Sequence, residues 1–108
     1  MEDRLTTEYA LDRLSGTVGK EFITLFKHGT LKIEIYKPDK IDNQMPHSKD
    51  EIYVIISGTG YFIKGEEKKP FEPGEILFVP AFMEHHFESF SEDFVTWVLF
   101  YGPEGGEK

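Results

Sequence analysis

From Phe22 onward the chain is cut into short apolar runs by Gly, Pro and Asp, and no second helical pattern interrupts them. Leu31, Ile33 and Ile35 alternate with Lys32, Glu34 and Tyr36 at period two, the signature of a strand whose faces differ. Phe22 to Phe26, Glu51 to Ser57, Tyr61 to Lys64, Phe71, Ile76 to Val79, His85 to Phe87 and Phe94 to Tyr101 supply further segments, with a turn at Gly65-Glu66. Many short strands joined by turns indicate an all-β sandwich or barrel with jelly-roll closure, not a parallel α/β sheet. One helix precedes them: Thr6 or Thr7 caps it, Glu8 sits in its first turn, Leu5, Tyr9, Ala10 and Leu14 form its apolar face, and Gly16 and Gly19 end it.

The chain has 108 residues, enough for one core, and ten Phe, five Tyr and one Trp to fill it. We read residues 1–19 as an N-terminal helical extension, 20–101 as the barrel and 102–108 as a flexible tail. A formal charge of −8 argues against nucleic acid or an anionic membrane as partner, because both need a basic stripe. Residues 1–15 lack the basic and then apolar pattern of a signal peptide, so the expected compartment is the cytoplasm. With no cysteine, any metal must be held by imidazole and oxygen.

Of four histidines, His47 and His85 sit beside strand edges and turn residues. On one flat strand His47 and Glu51 would be about 13 Å apart, too far to share an ion with bonds of roughly 2 Å. Ser48-Lys49-Asp50 must therefore turn the chain, so that His47 ends one strand and Glu51 begins the next. Period two places Tyr53 and Ile55 on the face of Glu51, sends His85 and Phe87 inward together, and turns His86 outward. Two imidazoles and a carboxylate then converge: His47, Glu51 and His85 are the expected metal ligands, and Tyr53 the expected catalytic polar contact. His28 reads as a hairpin-turn residue, and Asp50 as opposed to Glu51 or capping the turn.

With these residues in view, the sequence resembles a small single-domain cupin of the conserved-barrel type, whose motifs run G-x5-H-x-H-x3,4-E-x6-G and G-x5-P-x-G-x2-H-x3-N. His47, Glu51 and Gly58 match the first, and Gly74, Pro80 and His85 the second, over roughly residues 20–101. The resemblance implies a double-stranded β-helix, or jelly-roll, barrel. Four positions depart: Met45 stands at the first histidine, Asp39 at the opening glycine, Phe82 at the second-motif glycine and Ser89 at the closing asparagine. Three protein ligands would remain, with Met45 an apolar wall residue whose thioether hard ions hardly take, and with Gln44 able to offer an amide oxygen but turned away by period two.

Two histidines and one carboxylate suit iron(II) first, with zinc, manganese or nickel as alternatives. The functional expectation is a metal-dependent, dioxygenase-like enzyme acting on a small oxygen-rich molecule. Alternatives are a non-catalytic small-ligand or metal-binding module, a barrel that has lost its metal and kept relics of the site, and a metal-assisted isomerase or lyase. Edge strands of a lone jelly roll need cover, so a homodimer through an edge strand or the N-terminal helix is expected.

Overall fold

The computed structural model describes residues 4–108. It contains one helix, α1 (Thr7–Ser15), and strands β1 (Phe22–His28), β2 (Leu31–Tyr36), β3 (Asp50–Ser57), β4 (Gly60–Lys64), β5 (Glu67–Phe71), β6 (Ile76–Val79), β7 (His85–Glu88) and β8 (Val95–Tyr101). Of the expected extension 1–19, residues 1–3 lie outside the described ones. Thr6 caps α1 by accepting a hydrogen bond from the Tyr9 amide at 3.1 Å. Gly29-Thr30 and Gly65-Glu66 close the β1–β2 and β4–β5 hairpins, each with its glycine at φ +60.

All pairings are antiparallel, in a five-stranded sheet ordered β1-β2-β8-β3-β6 and a three-stranded sheet ordered β5-β4-β7. The two face each other across Tyr53, Ile55, Phe62, Phe71, Val79, Phe87, Phe94 and Val98. Phe87 holds the middle, with ring centroids 4.7 Å from Phe94 and 4.9 Å from both Tyr53 and Phe62. The outer face of the larger sheet is also covered: Ala10 and Leu14 of α1 pack on Ile35 and Val95. This explains an unusual assignment of faces in β2. Its apolar residue Ile35 faces the helix, while Glu34 and Tyr36 face the space between the sheets.

Register then sets the inner surface, because residues opposed across antiparallel strands share a face. Lys32, Phe100, Glu51 and Val79 form one row across β2, β8, β3 and β6, and Glu34, Val98, Tyr53 and Leu77 the next.

Three expectations are corrected. His47 does not end a strand; residues 37–49 form an extended loop without ladder pairing, and His47 lies three residues before β3. Its side chain is placed by the loop. Met45 is no wall residue, for it is 74% exposed. Residues 102–108, expected as a flexible tail, are tied back: the Gly102 amide donates to Thr30 Oγ1 at 3.0 Å, the Gly105 amide to the Ser48 carbonyl at 2.7 Å, and the Glu107 amide to Asp50 Oδ2 at 2.8 Å. Gly105 and Gly106, at φ +90 and +89, make the required turn, and a Cβ on Gly106 would stand 2.9 Å from Asp50 Oδ1. Asp50 also accepts from the Ala81 amide at 3.0 Å, which holds the turn after β6.

Candidate metal centre

His47, Glu51 and His85 meet, each offering a donor atom, with these atoms all within 4.8 Å of one another. Three separate parts of the chain supply them: the 37–49 loop, the start of β3 and the start of β7. Tyr53, on the same face as Glu51, is fully buried beside them, its ring centroid 6.0 Å from that of His85.

Each candidate ligand is aimed by its surroundings. The second ring nitrogen of His85, Nδ1, donates to the Met83 carbonyl at 2.8 Å, which leaves Nε2 unprotonated in the neutral ring. Nε2 lies 3.0 Å from Glu51 Oε1, and both are almost fully buried. Yet neither atom has a hydrogen-bond partner of good geometry among the described residues. With the His85 ring neutral, two buried acceptors stand side by side and call for a shared third partner. A cation there would satisfy both, and the donor set of two imidazoles and a carboxylate suits a first-row divalent ion.

His47 is positioned by its backbone: its carbonyl accepts from the Phe82 amide at 2.7 Å. Phe82 has φ +67, the left-handed region that glycine enters freely, and it stands where the second cupin motif carries glycine. Ser89, at the motif's asparagine position, has φ +51, which asparagine also tolerates well.

Burial holds the His47 imidazole below its ordinary pKa, against the attraction of Glu51, so the ring is neutral and ready to ligate near pH 7. For His85, burial also opposes the charged form, but the Glu51 carboxylate and the Met83 carbonyl outweigh it and raise the value. Burial first, then the Glu51 charge, pushes the Tyr53 hydroxyl well above its usual range, so Tyr53 keeps its proton.

Sequence reasoning missed one neighbour, Asp42, and wrongly set aside another, Gln44. Asp42, buried, accepts from the Tyr36 hydroxyl at 2.5 Å, the Phe87 amide at 2.8 Å, and both the side-chain and the backbone nitrogen of Gln44, at 2.7 and 3.3 Å. Gln44, expected to turn away, instead accepts the Tyr53 hydroxyl on its amide oxygen at 2.8 Å. The loop has no strand period, so alternation could not place Gln44. A glutamine one residue from the position of a missing ligand was the available signal. His86 faces away as expected and lies 3.0 Å from Glu88.

A cavity of about 360 Å³ opens on the site, lined by His47, Glu51, Gln44, Glu34, Lys32 and Phe100 among others. A second, of about 380 Å³, shares His47, Lys32 and Phe100 with it and also carries Lys27 and Lys49.

Two facing antiparallel sheets with histidines and a glutamate converging between them define a jelly-roll barrel with a cluster that could hold a metal ion. Residues 32–101 match the cupin-domain family, and the chain belongs to it. It is 31% identical over 85 residues to an uncharacterised protein of Streptomyces coelicolor, covering 77% of this chain and 81% of that one. Among solved structures, a cupin 2 conserved-barrel protein from Salinispora arenicola is similar at TM-score 0.69 and 12% identity, over 94% of this chain and 89% of that one. A DMSP lyase of Ruegeria pomeroyi is similar at TM-score 0.64 and 23% identity, over 75% of this chain and 46% of that one. No helix of the described residues is long and apolar enough to cross a membrane.

Proposed function

We propose that this cupin binds one divalent cation through His47, Glu51 and His85 and uses it to act on a small, oxygen-rich anionic molecule, as a dioxygenase-like enzyme with iron(II). The carrying observation is the buried pair Glu51 Oε1 and His85 Nε2, 3.0 Å apart and without hydrogen-bond partners among the described residues. A divalent ion beside one carboxylate and two neutral imidazoles leaves a local charge near +1, which attracts anionic or chelating ligands. Lys27 and Lys49 border the second cavity, which adds to that attraction, whereas Lys32, at the edge of both, is paired with Glu34 at 3.3 Å. Phe100 and Val98 supply an apolar wall for the carbon skeleton of a ligand.

Iron(II) held by these residues would supply coordination positions that substrate and dioxygen can share, and zinc, manganese or nickel would supply Lewis acidity. The chain contributes orientation: Met83 fixes the His85 tautomer, and Phe82 fixes the His47 loop. Tyr53, holding its proton, can donate a hydrogen bond but cannot act as a base.

One observation favours a second reading, a metal-assisted isomerase or lyase. Glu34 is a buried carboxylate on the wall of the same cavity, held by Thr24 Oγ1 at 3.2 Å and Lys32 Nζ at 3.3 Å, and so offers the base that such chemistry needs. Oxygen uptake by the iron(II)-loaded protein on a panel of diketones, flavonols and keto acids, repeated with Glu51→Ala, separates the readings. Uptake that vanishes in the variant supports the oxygenase. Anaerobic turnover that vanishes in Glu34→Gln supports the lyase or isomerase, and turnover retained in Glu51→Ala overturns both.

A further inference from the structure

We propose that the side-chain amide oxygen of Gln44 is a fourth protein donor to the cation, taking the corner left by the absence of the first-motif histidine. The inference rests on the metal-binding reading above and deepens it.

The orientation of the Gln44 amide is fixed by chemistry. Its nitrogen lies 2.7 Å from Asp42 Oδ2, and a carboxylate only accepts, so the NH2 group must occupy that side. The carbonyl oxygen therefore faces the site. A flipped amide would set oxygen against the buried carboxylate and nitrogen against the Tyr53 hydroxyl proton. Asp42 is itself immobilised by the Tyr36 hydroxyl and the Phe87 amide, so the amide is oriented before any ion arrives.

An amide oxygen has two lone pairs. Tyr53 donates to one at 2.8 Å. The other faces His47 Nε2 at 3.4 Å, longer than a good N–H···O bond. Donor atoms that share an ion through bonds near 2.1 Å stand roughly 3.0–3.5 Å apart. The Gln44–His47 separation falls in that range, as does the 3.0 Å between His85 and Glu51.

Met45, at the motif's histidine position, is 74% exposed and contributes nothing to the site. The loop thus substitutes a longer side chain from one residue earlier. Two oxygens and two nitrogens make a harder donor set than three imidazoles and a carboxylate, and favour manganese(II) or iron(II) over softer ions.

Mn2+ and Zn2+ affinities, measured by chelator competition on the full chain, test this without reference to activity. Wild type is compared with Gln44→Leu, which has similar bulk and no donor, with Gln44→Glu, which keeps an oxygen, and with Tyr53→Phe. We expect Gln44→Leu to weaken Mn2+ at least tenfold and Zn2+ less, with Gln44→Glu and Tyr53→Phe within about threefold of wild type. Equal Mn2+ affinity in wild type and Gln44→Leu overturns the Gln44 proposal and leaves the three-ligand site standing. A Tyr53→Phe loss as large as that of Gln44→Leu also overturns it, since Gln44 would then act only through Tyr53. Failure of the wild-type chain to bind either ion overturns the proposal together with the reading beneath it. Should Gln44→Leu not fold, a Gln44→Glu variant that loses Mn2+ altogether is the overturning result, and one that retains it the supporting one.

Discussion

The Phe82 amide donates to the His47 carbonyl at 2.7 Å, so the second cupin motif holds the loop that carries the candidate ligand of the first. The geometry depends on a left-handed residue, φ +67, at which a phenylalanine side chain is strained and also 64% exposed. Replacing Phe82 by glycine should remove strain and lose little burial. We expect a gain of about 0.5–1 kcal/mol, read as a rise of a few degrees in the thermal midpoint, with metal affinity unchanged. A lower midpoint would mean that the exposed ring packs in a way the geometry does not reveal.

Gly58 is the opposite case. At φ +91, a Cβ there would meet Phe94 Cα at 2.5 Å and Phe94 N at 2.8 Å, both backbone atoms that cannot swing aside. Gly58→Ala should cost more than about 2 kcal/mol in denaturant unfolding. A cost under 0.5 kcal/mol would show that the strand end shifts freely.

Asp42 accepts four hydrogen bonds, from Tyr36, from Phe87 and twice from Gln44. An asparagine keeps the shape but presents one NH2 face to donors. Asp42→Asn should destabilise by about 2 kcal/mol and weaken Mn2+ binding, with Tyr36→Phe costing about 1 kcal/mol. Unfolding midpoints equal to wild type for both would refute the network.

Protons and metal compete at His85. Because its imidazole pKa is raised, metal uptake must displace a proton there, while His47, lowered by burial, is already neutral. Apparent affinity should therefore climb as pH rises through the folded His85 value, which lies above 6.5, with proton release on binding. In the metal-free protein the sign reverses: the contact of protonated His85 with Glu51 stabilises fully below the unfolded imidazole value of 6.5, and is lost as pH rises through the higher folded value. Affinity independent of pH across this range would argue against imidazole ligation.

Much of this was legible from residue order. Period two placed Glu51, Tyr53 and Ile55 on one buried face, and set His85 with Phe87 inward, because ladder pairing enforces alternation on β3 and β7. The face that β2 turns inward was not legible, since α1 buries the Ile35 side as thoroughly as the sheets bury the Tyr36 side. Gln44 and Met45 were misplaced because alternation has no force in an unpaired loop, where the Asp42 carboxylate decides which side chain turns in. The docking of residues 102–108 depends on Asp50, Ser48 and Thr30, acceptors distant in sequence, and glycine-rich composition gave no hint of them.

Equilibrium dialysis of the chelator-stripped chain against Mn2+ or Fe2+ under anaerobic conditions, alongside Glu51→Gln and His85→Ala variants with folding checked by circular dichroism, addresses the site itself. We expect one ion per chain for wild type and none retained by either variant. An empty wild-type chain, or folded variants that load as fully as it does, would show that these buried donors face each other for some other reason.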